Sequence, residues 1–418
     1  MCTAWASAST GECVLRDTHT DGGRKADGSG CLTGAVGVAA HGAGHFTYCA
    51  GRHIDGCGIN GACRRACCHA GLFASFEDEG EHRVAQISLS GDVDRTPAIV
   101  GSSYYALPYV GGEWSVSDNG RIAFTTASTT RPPDIAVTRG GSTRQLTALN
   151  EVKLSGKRMG QTRALDVTAP DGTTIPAWIV LPPDRVPGTP VPTVLEMHGG
   201  PYASYGPEFS IDYQLYGAAG YAVVFANPGG STGYGEAFAD RIEGNYPISN
   251  FEELMAVVDA AIAQGYADPE QLFVTGGSGG GVLTAWLVGK TDRFRAAATH
   301  KPVINWTSHA LMADGVPYFG RYWLGALPWE DPEGYWARSP LSLIGNVTTP
   351  TLVLVGADDY RTPRSEAEQY YGALKLAGVD TAMVITPESS HSNLSQTPSQ
   401  QAARTAAVIA WFDKYHEQ

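Results

Sequence analysis

From about residue 160 onward the chain alternates two kinds of segment, and that alternation limits the folds open to it. Strand-length apolar runs, many of them β-branched, recur as TIPAWIVLP, PTVLEM, YAVVFAN, QLFVTG, FRAAATH, PTLVLVG and TAMVITP. Between several of them lie helix-like stretches, FEELMAVVDAAIAQG, SEAEQYYGALKLAG and SQQAARTAAVIAWFDKY. A strand that is apolar along its whole length must be buried on both faces, and amphipathic helices between such strands supply the cover. The pattern predicts an α/β domain over residues 156–418, built on a doubly wound, mostly parallel sheet.

Residues 76–155 read differently. RVAQISLSG, EWSVSDNGRIAFTTAS and PDIAVTRGGSTRQLT are short alternating runs, and DNG and RGG break them as hairpin turns do. One or two propeller blades would read this way, and so would a small sandwich. Residues 1–75 keep neither period and form an unassigned cysteine-rich leader, either unstructured or not native coding sequence. All eight cysteines lie between Cys2 and Cys68, and without a secretory signal a disulfide framework is not the expected use. His41, His45, Cys49, His53 and Cys57 recur every four residues. Zinc sites usually come as closely paired knuckles, and glycines interrupt any helix here, so no metal is assigned.

A composition of 43% hydrophobic and 17% charged residues describes a globular chain, and 418 residues are more than one core usually supports. The formal charge of −13 argues against a nucleic-acid or anionic-membrane partner. No run is long enough to span a bilayer, so a cytoplasmic location is the expectation. Oligomeric state is not readable from the sequence.

One junction carries chemistry. QLFVTGGSGGGVLTAWL places Ser278 between an apolar strand and an apolar helix, with Gly276, Ser278 and Gly280 completing G-x-S-x-G. That pattern marks a strained strand-to-helix turn in which neighbouring positions must lack a Cβ. A phosphate cradle is the alternative for a glycine-rich helix start, but the Lys-Ser/Thr of a Walker loop is missing. A serine nucleophile needs a base oriented by an acid, expected here in the order Ser, Asp or Glu, His. TLVLVGADDYRTP offers Asp358 and Asp359 after one strand, and TAMVITPESSHSN offers His391 after the next. Two N–H donors for an oxyanion come from Gly279 and from the loop His198, Gly199, Gly200, Pro201.

With those residues in view, the chain resembles the prolyl oligopeptidase family of serine peptidases, especially its acylaminoacyl-peptidase and dipeptidyl-peptidase-like branch. HGGP, NPGGSTGYGEAF, GGSGGG, DDYRTP and SSH followed by AWFDKY carry the resemblance, which runs from about residue 115 to the C-terminus. It implies an α/β-hydrolase domain, here preceded by a partial β-propeller-like antiparallel segment. It also implies Ser278 as nucleophile, His391 as base, Asp359 rather than Asp358 as the orienting acid, and Gly200 with Gly279 as the oxyanion hole. The implied substrates are short peptides, and no cofactor is required. The same triad would serve a carboxylesterase, and an inactive truncated member is the other alternative.

Two positions depart from the family pattern: Gly279 stands for a usual tyrosine, and Gly229 for a usual arginine. The stretch before the catalytic domain is also far too short for a seven-bladed propeller, which leads to the expectation of a truncated or frame-disrupted member. The aromatic segment 303–331 is expected on the substrate side, with a structural cap as the alternative reading. No substrate-binding residue is assigned.

Overall fold

The computed structural model describes residues 71–418 except 89, 118, 316–322, 393–395 and 417–418. All eight cysteines and the His41 to Cys57 series therefore lie outside the described residues, as does the middle of the aromatic segment 303–331.

Eight strands form the large sheet: β8 (Gln161–Leu165), β9 (Ala177–Leu181), β10 (Val191–Met197), β11 (Ala222–Ala226), β12 (Ala267–Gly277), β13 (Ala296–His300), β14 (Thr351–Gly356) and β15 (Thr381–Thr386). Their spatial order is β8, β9, β11, β10, β12, β13, β14, β15. Strands β11 to β15 and β10 are mutually parallel, and β9 runs antiparallel to both β11 and β8.

Alternate side chains enter two separate cores. Leu272 and Val274 of β12 face one with Leu254, Val258, Val282 and Leu374, while Phe273 faces the other with Tyr213, Tyr221, Val408 and Phe412. Period-2 alternation thus feeds both faces, which is why the strand sequences are apolar throughout. Because the parallel strands end on one edge, the loops after β10, β12, β13, β14 and β15 collect there.

Before this sheet lie two small antiparallel ones. The first holds β1 (Gly71–Asp78), β2 (Glu81–Ser88) and β3 (Val93–Val100), and the second β4 (Trp114–Val116), β5 (Ile122–Ser128), β6 (Arg131–Arg139) and β7 (Ser142–Gln145). Strand β1 begins at Gly71, so its first residues lie inside the 1–75 stretch left unassigned by sequence. The two sheets share a small core of Phe73, Val84, Val100, Ile122 and Phe124. Between β6 and β7, Gly140 and Gly141 both take positive φ, the requirement of the two-residue turn that RGG foreshadows.

These sheets dock on the large one through polar contacts. The Glu77 carboxylate accepts from the Ser204 and Thr232 hydroxyls, and the Glu79 N–H donates to the Gly233 carbonyl. Segment 105–110 then runs along the loops after β10, with Ser210 Oγ donating to Ala106 and Gly206 N–H to Pro108. Among the described residues no helix is long and apolar enough to cross a membrane.

Phe273 is fully buried between Tyr221 and Phe412. Phe273→Ala is expected to lower unfolding free energy by about 3–5 kcal/mol, read from a denaturant titration.

Candidate active site

Ser278 follows β12 directly and precedes the helix Gly279–Val288. Its backbone sits at φ 61°, ψ −117°, a conformation unusual for a residue with a side chain. The surrounding glycines make this turn possible. A Cβ on Gly276 would lie 2.6 Å from the Gly280 carbonyl oxygen, and one on Gly280 would penetrate the Met197 carbonyl of β10. Strand and helix backbones therefore meet with nothing between them.

The three polar side chains expected to act together do converge. His391 Nε2 lies 3.0 Å from Ser278 Oγ, while Nδ1 lies 2.8 Å from Asp359 Oδ2 and 3.1 Å from Oδ1. With the Nδ1 proton donated to the carboxylate, Nε2 is left to accept from the serine hydroxyl. Asp359 also accepts from the backbone N–H groups of Arg361 and Thr362, at 3.0 and 2.9 Å, and from the Thr362 hydroxyl. Its side chain has no exposed surface. Burial alone would raise this carboxyl. The hydrogen bond and charge of His391, the Thr362 N–H and the Lys301 ammonium hold it below its ordinary value. Asp358 lines the cavity but makes no contact with His391 among the described hydrogen bonds.

At His391, burial lowers the imidazolium pKa, and the charges of Lys301 and Arg361 act in the same direction. The Asp359 carboxylate opposes them, and the balance falls below the ordinary 6.5.

The loop after β10 supplies the remaining groups. Gly199 N–H donates to the Tyr109 hydroxyl at 2.6 Å, so this first glycine amide is already engaged. The amides of Gly200 and Gly279 have no acceptor among the described residues. They lie close together, since a Cβ on Gly279 would sit 3.0 Å from Gly200 N. The Gly279 amide also opens a helix, where the partial positive charge of the macrodipole favours an anion. His198 braces the loop between the Gly199 carbonyl and Ser231 Oγ, both 2.8 Å away, and burial takes its pKa down to about 4.

Both sequence departures have a structural counterpart. With glycine at 279, the Gly200 backbone closes onto the space a side chain would take. With glycine at 229, Arg241 occupies the neighbouring space: a Cβ at 229 would lie 3.0 Å from Arg241 Nε. Arg241 pairs with Glu253, whose other carboxylate oxygen accepts the Gly229 N–H at 2.8 Å.

A cavity of about 880 Å³ opens over Ser278 and His391. Val282, Val303, Trp306, Trp323 and Tyr202 give one side an apolar, largely aromatic wall. Of the described residues in the aromatic segment 303–331, Val303, Trp306, His309, Asp314, Gly315 and Trp323 face the cavity, whereas Trp329 is exposed. Among the described residues no three His, Cys, Asp or Glu side chains group as metal ligands.

Residues 207–418 match the family model for the prolyl oligopeptidase family. The chain belongs to that family. An uncharacterized peptidase of Bacillus subtilis is 37% identical over 289 residues, covering 68% of this chain and 44% of its own. The acylamino-acid-releasing enzyme of Arabidopsis thaliana is 34% identical over 233 residues, covering 54% of this chain and 30% of its own. This chain therefore spans less than half the length of these curated relatives. In fold it is similar to the acylaminoacyl peptidase of Pyrococcus horikoshii, with TM-score 0.75 and 24% identity over 83% of this chain and 55% of that one. A second acylaminoacyl peptidase structure, in complex with Z-Gly-Gly-Phe-chloromethyl ketone, gives the same TM-score at 25% identity and the same coverage. The family's α/β-hydrolase fold, with an antiparallel segment before it, is the architecture described above.

Tyr109 and Lys301 were not singled out by sequence. Tyr109 reaches the site from 90 residues upstream, and YYALPYV contains no spacing that points to it. Lys301 had a faint signal, a lone cation directly after an apolar strand.

Tyr109→Phe removes the acceptor for the Gly199 amide and leaves that donor without a partner. The expected result is a loss of about 1–3 kcal/mol in unfolding free energy, measured by denaturant titration against the wild type.

Proposed function

We propose that the chain is a serine hydrolase that cleaves short peptides by acyl transfer. Ser278 is the nucleophile in this reading. His391 takes the hydroxyl proton on Nε2 as Oγ attacks the substrate carbonyl carbon, and Asp359 stabilises the imidazolium that forms. The carbonyl oxygen gains the negative charge and is met by the Gly200 and Gly279 amides. Collapse of the tetrahedral species expels the amine leaving group, which takes the proton from His391. Water then attacks the acyl-enzyme with His391 again as base, releasing the acid and restoring the serine.

One observation carries the proposal: a single imidazole bridges the Ser278 hydroxyl and a buried carboxylate at 3.0 and 2.8 Å. The strained serine backbone and the paired free amides support it. Family membership and relatives named acylamino-acid-releasing enzyme and dipeptidyl-peptidase 5 favour peptide or acyl-peptide substrates over other acyl donors. The aromatic wall suits an uncharged side chain next to the scissile bond.

A fluorophosphonate probe should label the protein covalently, and Ser278→Ala should abolish labelling; a variant still labelled at the wild-type rate would reject the assignment. Peptide p-nitroanilides should be turned over at rates comparable with p-nitrophenyl esters, whereas ester turnover alone would identify an esterase. The pH profile has a fixed sign. The neutral imidazole is the base, so activity rises with pH through the His391 pKa, and kcat/KM should show an acid limb with its midpoint below 6.5.

A further inference from the structure

Strand β13 ends at His300 and Lys301 follows it directly, and three bonds run from this dipeptide to the segments that carry the triad. The His300 carbonyl accepts the Ser278 N–H at 3.0 Å. Lys301 N–H donates to the Leu354 carbonyl on β14, the strand leading to Asp359, at 2.6 Å. Lys301 Nζ donates to the carbonyl of His391 itself, also at 2.6 Å.

The lysine reaches that carbonyl under two local constraints. Its backbone is held at φ 41°, in the left-handed region that a lysine adopts only when its surroundings enforce it. Its side chain passes beside the serine turn, where a Cβ on Gly277 would lie 3.3 Å from Lys301 Cε. The pattern G-x-S-x-G leaves position 277 free to be any residue. Glycine there keeps open the path of the lysine stem.

We infer that Lys301 is a positioning residue that holds the His391 loop, and with it the imidazole, in register with Ser278 and Asp359. This rests on the triad reading above. Among the described hydrogen bonds the residue meets neither Ser278 Oγ nor the His391 ring. It acts through the main chain of the base, so its loss lets the imidazole drift from the serine and lowers the rate without removing any member of the triad.

The same ammonium also acts on the base through space. Burial pushes Lys301 down to about 8, with Asp359 raising and Arg404 lowering it, so it is largely charged at neutral pH. His391 faces Asp359, which favours the imidazolium, and Lys301 and Arg361, which disfavour it. His309 lies near enough for its own titration to feel His391. Removing the charge at 301 therefore raises the His391 pKa, a change that loss of a merely structural contact would not produce.

The test compares Lys301→Met, Lys301→Gln and Lys301→Arg with the wild type, by the pH dependence of fluorophosphonate labelling rate, alongside thermal unfolding. Both neutral variants should label about tenfold more slowly at neutral pH. Their acid limb should move upward. Lys301→Arg keeps a donor and a charge and should stay near the wild type in both respects. A folded neutral variant that labels at the wild-type rate, with an unmoved acid limb, overturns the inference while leaving the triad intact. An unlabelled wild type would instead reject the triad itself.

Discussion

Everything at this site depends on the absence of space at one junction. The end of β12, the start of the helix Gly279–Val288 and the end of β10 approach so closely that side chains at 276 and 280 have no room. That crowding drives Ser278 into positive φ and lifts its hydroxyl above the sheet edge. It also turns the first amide of the helix toward the same point. A looser junction would leave the serine in an ordinary turn, with no reason for its hydroxyl to meet an imidazole supplied 113 residues later.

Parallel topology does the rest. Five loops that are distant in sequence leave one edge of the sheet, and each delivers one function: an amide donor after β10, the hydroxyl after β12, the cation after β13, the carboxylate after β14 and the imidazole after β15. Charge is arranged along that edge in a consistent sense. A buried carboxylate kept ionised faces an imidazole kept neutral, and the nearby Lys301 ammonium favours both states. The glycine-rich first loop is held from behind by His198, itself neutral through burial.

Much of this was readable in the sequence because it is local. Apolar strands, the glycine burst and the order Ser278, Asp359, His391 each follow from a short window and a rule about what that window can form. The choice of Asp359 over its neighbour came only through the family resemblance, and in the fold it is Asp359 that meets the imidazole. What escaped reading is contact that no motif spacing encodes, most of it long-range. Arg241 stands beside Gly229 although no spacing joins them. Lys301 and His391 meet only because β13 and β15 flank β14. Tyr109 belongs to a segment whose own strands look like part of another unit. For the Lys301 and Tyr109 contacts, no short window of sequence contains both halves.

The hydrogen bond between Tyr109 and Gly199 bears on where this protein can be divided. Its donor belongs to the glycine loop beside Ser278, and its acceptor to the connection between the two small sheets. A boundary drawn by topology, at the start of the large sheet, would cut through that pairing and strip lining residues from the cavity over Ser278. A cut at the start of the large sheet therefore does not follow the cavity, whose lining includes Tyr104, Tyr105, Leu107 and Tyr109 from the connection between the two small sheets.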